Sequence, residues 1–131
     1  MNIGEASDLT GLPAKTIRYY EDIGLIKPLR AANGYRDYDA RDVHRLAFIQ
    51  RSRSLGFTID ECRSLLSLYE DKARASSDVK SLAMDKVREI DRKLKELKSL
   101  RDTLKTLADH CQGDDRPECP IIDEIARGGR V

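Results

Sequence analysis

The chain has 131 residues, of which 36% are charged and only 5% aromatic, with a formal net charge of +1. That length holds one compact domain plus one extended element, and such a charge density describes a solvated, helix-rich chain rather than one built on a large core. No apolar run of about 18 residues is present, which excludes a membrane-spanning helix. The stretch Met1-Asn2-Ile3-Gly4-Glu5 lacks the basic-then-apolar order of a secretory signal, so a cytoplasmic location is expected.

Ile3 to Thr10 is predicted as a short first helix, with Ala6 and Leu9 inward. Gly11-Leu12-Pro13 is a turn, glycine closing one helix and proline standing near the start of the next. Ala14 to Ile23 forms the second helix. Two helices so joined make a helix–turn–helix, whose second helix enters the major groove of DNA. Gly24 ends that helix, and an extended stretch through Pro28 leads to Asn33-Gly34. Asn-Gly is a strong type I′ hairpin signal, so Tyr35-Arg36-Asp37-Tyr38 is predicted to return as a strand and form a wing.

Arginines and tyrosines thus fall on a helix and on a hairpin, the residue types that fix phosphates and sugars while neighbours read base edges. Charge is segregated to match. Lys15 to Arg53 carries nine Lys or Arg against five Asp or Glu, whereas the tail from Cys111 carries three against five. A positive front and an acidic tail suit a nucleic-acid partner at one end only.

Asp39 is predicted as the N-cap of a third helix running to about Leu55, with Val43, Leu46, Ala47 and Ile49 inward and Gly56 as its stop. Thr58-Ile59-Asp60-Glu61 has the capping-box pattern and opens a fourth helix through about Tyr69. From Ser76 or Ser77 to about Asp109 runs one helical pattern without Gly or Pro. Ala83, Val87, Ile90, Leu94, Leu97, Leu104 and Ala108 follow alternating steps of three and four, with Arg101 the one break. Leu100 and Leu107 widen the stripe. At 1.5 Å per residue such a helix is roughly 50 Å long. Folding back on a domain of this size cannot bury that stripe, so a coiled coil with a second copy, antiparallel or parallel, is expected.

The tail holds Cys111-Gln112-Gly113-Asp114-Asp115-Arg116-Pro117-Glu118-Cys119, a loop rich in turn formers, before a short helix with Pro120 at its first position. The loop can bring both sulfurs to one place, and Cys119 sits where a helix N-terminus stabilises a thiolate. Two thiolates alone make a poor zinc site, since zinc takes four ligands, and suit a soft monovalent ion such as Cu(I). His110 could be a third donor, although an exposed residue at a helix end is the commoner role. A reversible disulfide is the other reading of the pair. Burial as small hydrophobes fits poorly with so polar a turn. Cys62, on the fourth helix without a partner in sequence, is read as structural. No nucleophile–base pair and no phosphate-binding glycine loop is found, so catalysis is not expected.

Arg18-Tyr19-Tyr20-Glu21 with Gly24-Leu25, followed by Asn33-Gly34-Tyr35-Arg36-Asp37-Tyr38, resembles the signature of the MerR family of transcription regulators. The cysteine loop with Gly113-Asp114-Asp115 and Cys119-Pro120-Ile121-Ile122 resembles that family's copper-efflux-regulator branch. The resemblance covers essentially the whole chain. It implies a mainly α fold: a winged helix–turn–helix DNA-binding domain over 1–70, a dimerisation helix over 71–109 pairing as an antiparallel coiled coil, and a metal-binding loop and short helix over 110–131. It further implies a homodimer on double-stranded promoter DNA that bends and untwists the duplex when metal is bound, so that RNA polymerase engages the promoter. The implied effector is Cu(I), with Ag(I) and Au(I) accepted, held by Cys111 and Cys119. Ser76 stands where divalent-metal relatives carry a cysteine, which argues for monovalent selectivity. Carried over by motif, Arg18, Tyr19, Tyr35 and Arg36 contact DNA, mostly at phosphates. Lys15 and Thr16 lie near the helix N-terminus, from which base edges are reached. Arg30 and Arg53 are candidate backbone contacts, and Tyr20 is expected to pack inward beside Ile23. An apolar pocket lined by Ile121 and Ile122 is expected around the sulfurs. Some relatives carry further Cys and His residues in the tail, where this chain reads Arg127-Gly128-Gly129-Arg130-Val131.

Overall fold

Local capping signals set where the helices begin in a computed structural model that describes residues 1–127; the predicted segment 128–131 lies outside the described residues. Helix α1 (Ile3–Thr10) starts at Asn2, whose side chain accepts from the Glu5 amide at 2.9 Å, and closes on Gly11 in the left-handed region. The turn into α2 (Ala14–Asp22) is held by its own side chains. Thr10 Oγ1 donates to the Ala6 carbonyl at 2.8 Å and accepts from the Leu12 amide at 3.2 Å, while Ser7 Oγ donates to the Leu12 carbonyl at 2.6 Å. These bonds satisfy groups that would otherwise be orphaned at the helix ends.

The wing is a two-stranded antiparallel hairpin, β1 (Leu29–Arg30) with β2 (Arg36–Asp37), registered Leu29 to Asp37 and Arg30 to Arg36. It is shorter than the predicted Tyr35–Tyr38 strand, and its turn differs from the predicted one. A type I′ turn needs positive φ at both central residues, yet among the described residues no non-glycine has positive φ. Instead the Gly34 amide closes a turn on the Ala31 carbonyl at 2.8 Å, and Gly34 alone is left-handed at φ 85°. That is the longer-loop hairpin, a turn followed by a left-handed glycine. Asn33 contributes its Oδ1, which accepts from the Tyr35 amide at 3.1 Å.

Helix α3 (Ala40–Ser54) and helix α4 (Ile59–Glu70) both carry complete capping boxes, Asp39 with Asp42 and Thr58 with Glu61. Truncating Thr58 to alanine is expected to lower the stability of this unit by about 1 kcal/mol, within a 0.5–2 range for lost caps. Urea unfolding followed by circular dichroism measures it.

Helix α1 packs on α2 and α3, and α3 packs on α4. Their shared core contains Ala6, Ile17, Tyr20, Ile26, Tyr38, Leu46, Ile49, Cys62 and Leu66, all buried. A fully buried Ile or Leu contributes about 1.5–3 kcal/mol, so this set dominates the unit's stability. Leu9 does not join it as predicted and is 65% exposed. In so short a helix the Thr10 bonds commit the Ala6–Thr10 side inward, and Leu9 lies on the far side of Ala6 from Thr10. Val43 and Ala47 are only half-buried, whereas Leu46 and Ile49 are fully enclosed. Cys62 is completely buried, as its structural reading requires.

Helix α5 (Ser76–His110) is a single helix of 35 residues. It passes through both compact units of the chain, which divide between Ala83 and Met84. Along it Val87, Ile90, Leu94, Leu97, Leu100 and Leu104 all stand exposed. Helix α6 (Pro120–Arg127) follows the cysteine loop and leaves Ile122 and Ile125 exposed. No described helix is long and apolar enough to cross a membrane.

Candidate nucleic-acid interface and metal loop

On α2 the buried positions Ile17 and Tyr20 turn the opposite face outward, and that face carries Lys15, Arg18 and Tyr19. Residues three and four apart share one side of a helix, so the three form a continuous patch. Thr16 is half-buried beside them, and Tyr19 keeps half its surface in solvent. Tyr20 packs inward with Ile23, as the amphipathic pattern predicted. On the wing, Tyr35 is 74% exposed at the tip, while Arg36 is half-buried.

Two arginines named as backbone-contact candidates already have intramolecular partners. Arg53 donates to the Phe57 carbonyl at 3.0 Å, and Arg30 donates to the Gly34 carbonyl at 3.1 Å. Glu21 is the residue that sequence reasoning missed. Its carboxylate forms an ion pair with Arg36 Nε and lies 3.6 Å from Arg30 Nη2, so one acid on α2 joins both strands of the wing. Fifteen residues separate Glu21 from Arg36, and no local rule pairs them. Tyr38, one residue past β2, anchors the wing in the core with no exposed surface. Burial raises its phenol above the ordinary tyrosine range. Its hydroxyl has no hydrogen-bond partner among the described residues.

At the other end of the chain the loop brings Cys111 and Cys119 together, with the two sulfurs 3.1 Å apart. Cys111 follows the last turn of α5, and its amide donates to the Ala108 carbonyl at 3.1 Å. Cys119 is the residue just before α6. Hydrogen bonds from the Ile122 amide, then the Cys111 thiol and the Ile121 amide, favour the thiolate of Cys119 and lower its pKa from the usual thiol value. Cys111 is raised, chiefly because its S–H donates to Cys119. The loop between them is braced by Asp114, which accepts from the Arg116 amide and from Arg116 Nε, both at 2.9 Å.

Both sulfurs are half-buried, but the expected apolar pocket does not close within one chain: Ile121 is half-buried and Ile122 is 60% exposed. An eight-residue helix alone cannot cover its own apolar face. His110 is exposed and, with Cys119, Arg116, Glu118 and Asp123, lines an open depression of about 430 Å³. Among the described residues no group of three or more His, Cys, Asp or Glu is arranged to hold a metal ion. Two sulfurs by themselves would fit a soft ion of low coordination number better than tetrahedral zinc. Ser76 opens α5 as an exposed residue.

Comparison with known proteins identifies relatives of the chain. The family described as "MerR HTH family regulatory protein" matches residues 1–68, and the one described as "MerR, DNA binding" matches residues 43–107. The HTH-type transcriptional regulator HmrR of Rhizobium leguminosarum bv. viciae is 64% identical over 128 residues, covering 98% of this chain and 99% of the relative. The HTH-type transcriptional regulator CueR of Salmonella typhimurium is 45% identical, covering 96% of this chain and 92% of the relative. Among solved structures, the transcription regulator PbrR691 from Ralstonia metallidurans CH34 in complex with lead(II) has a TM-score of 0.84 at 32% identity, over 95% of this chain and 98% of that one.

Proposed function

The chain belongs to the MerR family of helix–turn–helix regulators, and from that premise we propose that it is a metal-responsive transcription activator whose effector is Cu(I), with Ag(I) and Au(I) as substitutes. Members of this family regulate transcription, and the chain is not an enzyme. The observation that carries the metal reading is the meeting of Cys111 and Cys119 at the N-terminus of α6, with no third donor grouped with them among the described residues. The names of HmrR and CueR relatives at 45–64% identity support it. When bound, Cu(I) would replace the thiol protons and link the end of α5 to the start of α6. Ser76, which cannot supply the additional thiolate that a divalent ion of higher coordination number needs, is the proposed selectivity position.

In this reading residues 1–70 bind DNA, 71–109 pair two copies through the exposed leucine stripe as an antiparallel coiled coil, and 110–131 sense metal. Arg18, Tyr19, Tyr35 and Arg36 contact phosphates and sugars, and Lys15 and Thr16 reach base edges at the start of α2. Each protomer takes one half-site of a promoter, and the paired helices set the spacing. Bending a site of this size costs about 1–6 kcal/mol, so the metal-bound loop must favour the deformed complex by a comparable amount for RNA polymerase to engage. An anaerobic titration with Cu(I) and Zn(II) tests the effector. One Cu(I) per chain without zinc competition is expected, and four-ligand zinc binding of equal strength would overturn the reading. A thiol switch is the second reading, favoured by the 3.1 Å sulfur separation and the lowered pKa of Cys119. Mass spectrometry with and without reductant separates the two: an oxidant-dependent loss of two protons that controls transcription without copper would favour the switch.

A further inference from the structure

The ion-pair cluster on Glu21 rests on the DNA-binding reading above and gives it a specificity element. We propose that Glu21 is a specificity-determining residue acting through the wing: by pairing with Arg30 and Arg36 it fixes both cations in one place and cancels part of their pull on unmatched DNA. The Glu21 side chain is only 16% exposed and that of Arg36 29%, so the pair is sheltered from water, whereas the Arg30 side chain is 57% exposed. Glu21 sits on the last turn of α2, and its partners occupy directly opposed positions of the hairpin. Tyr38 pins the wing's end in the core, and Glu21 secures its body to the recognition helix. The wing therefore presents Tyr35 and the free edge of Arg36 in a set relation to Lys15, Arg18 and Tyr19.

Two consequences follow from that geometry. Cancelling cationic charge weakens attraction to every duplex alike, because nonspecific affinity is mostly phosphate neutralisation and counterion release. Fixing the wing lowers the ordering cost of binding, but only for the duplex whose phosphates fall where the wing already points. On the matched site the two effects offset each other. On an unmatched one only the first operates, and discrimination increases.

Full-length protein with Glu21→Gln, titrated by fluorescence anisotropy into a promoter duplex and a scrambled duplex of equal length between 50 and 300 mM salt, tests this. Preference of the unaltered protein for the promoter duplex tests the DNA-binding reading itself, and its absence would defeat that reading rather than the role of Glu21. For E21Q, scrambled-duplex affinity is expected to rise about three- to tenfold, with a log–log salt slope steeper by about one. The promoter-to-scrambled ratio should fall about fivefold. Equal weakening on both duplexes with an unchanged slope would overturn the proposal, as would unchanged binding. Should E21Q lose its cooperative melt, Arg30→Gln decides. With Arg30 gone, Glu21 offsets Arg36 alone, so the scrambled-duplex slope should fall by about one while the promoter-to-scrambled ratio holds or rises; an unchanged slope, or a ratio that falls, would overturn the proposal.

Discussion

Serine at either Cys111 or Cys119 is expected to abolish stoichiometric Cu(I) binding and copper-dependent transcription while leaving DNA binding intact. The hydroxyl is a hard oxygen that stays protonated at neutral pH, so one of only two soft donors is lost. With no third donor grouped near the sulfurs among the described residues, nothing else compensates. Affinity should fall at least about a thousandfold, which is about 4 kcal/mol at 1.4 kcal/mol per tenfold. Cys119 carries the larger share of the anionic character, since the Ile122 and Ile121 amides and the Cys111 thiol all point to its sulfur. Cys62→Ala serves as the control. That residue is fully buried on α4, so its truncation should cost stability and leave the metal titration unchanged. Competition with a Cu(I) chelator under anaerobic conditions reads the binding, and run-off transcription reads the response. A serine variant that still responds to copper would remove the basis of the two-sulfur site.

Truncating the middle of the α5 stripe, Leu94→Ala with Leu97→Ala, is expected to convert a dimer into monomers and to abolish tight promoter binding. Both leucines are about three-fifths exposed, at 59% and 61%, so among the described residues no surface buries them. In a two-fold pair the double variant removes four buried side chains. At about 2 kcal/mol each, the lower end for such truncations, the dimer loses about 8 kcal/mol, enough to raise its dissociation constant by about six orders of magnitude. Alanine is the best helix former, so α5 itself should persist and circular dichroism should change little. Sedimentation equilibrium measures the mass, and anisotropy with the promoter duplex measures the loss of paired half-site binding. A variant that sediments as a dimer would show that the stripe is not the seam.

The helix starts were readable because their causes are local. Asp39, Thr58 and Pro120 each act within three or four residues, and α3, α4 and α6 begin where these residues place them. The inward packing of Tyr20 on α2, beside Ile23, was equally legible, since the two obey the helical period. The hairpin was right in position and wrong in turn type. The Asn-Gly pair permits a type I′ turn, but the backbone around Ala31 and Ala32 closes one residue earlier and leaves only Gly34 left-handed.

What the chain decided by itself was therefore the punctuation of its helices, the pairing of two cysteines across a turn-rich loop, and a leucine stripe that demands a cover. Each depends on residues a few positions apart, where chain connectivity limits the choices. Only the tertiary structure decided that Leu9 stays out of the core, that Tyr38 enters it completely, and that Glu21 holds Arg30 and Arg36. Those outcomes depend on which surfaces meet after α1, α2, α3 and α4 have packed, and sequence spacing carries no information about a carboxylate and a guanidinium that become neighbours only when a hairpin docks.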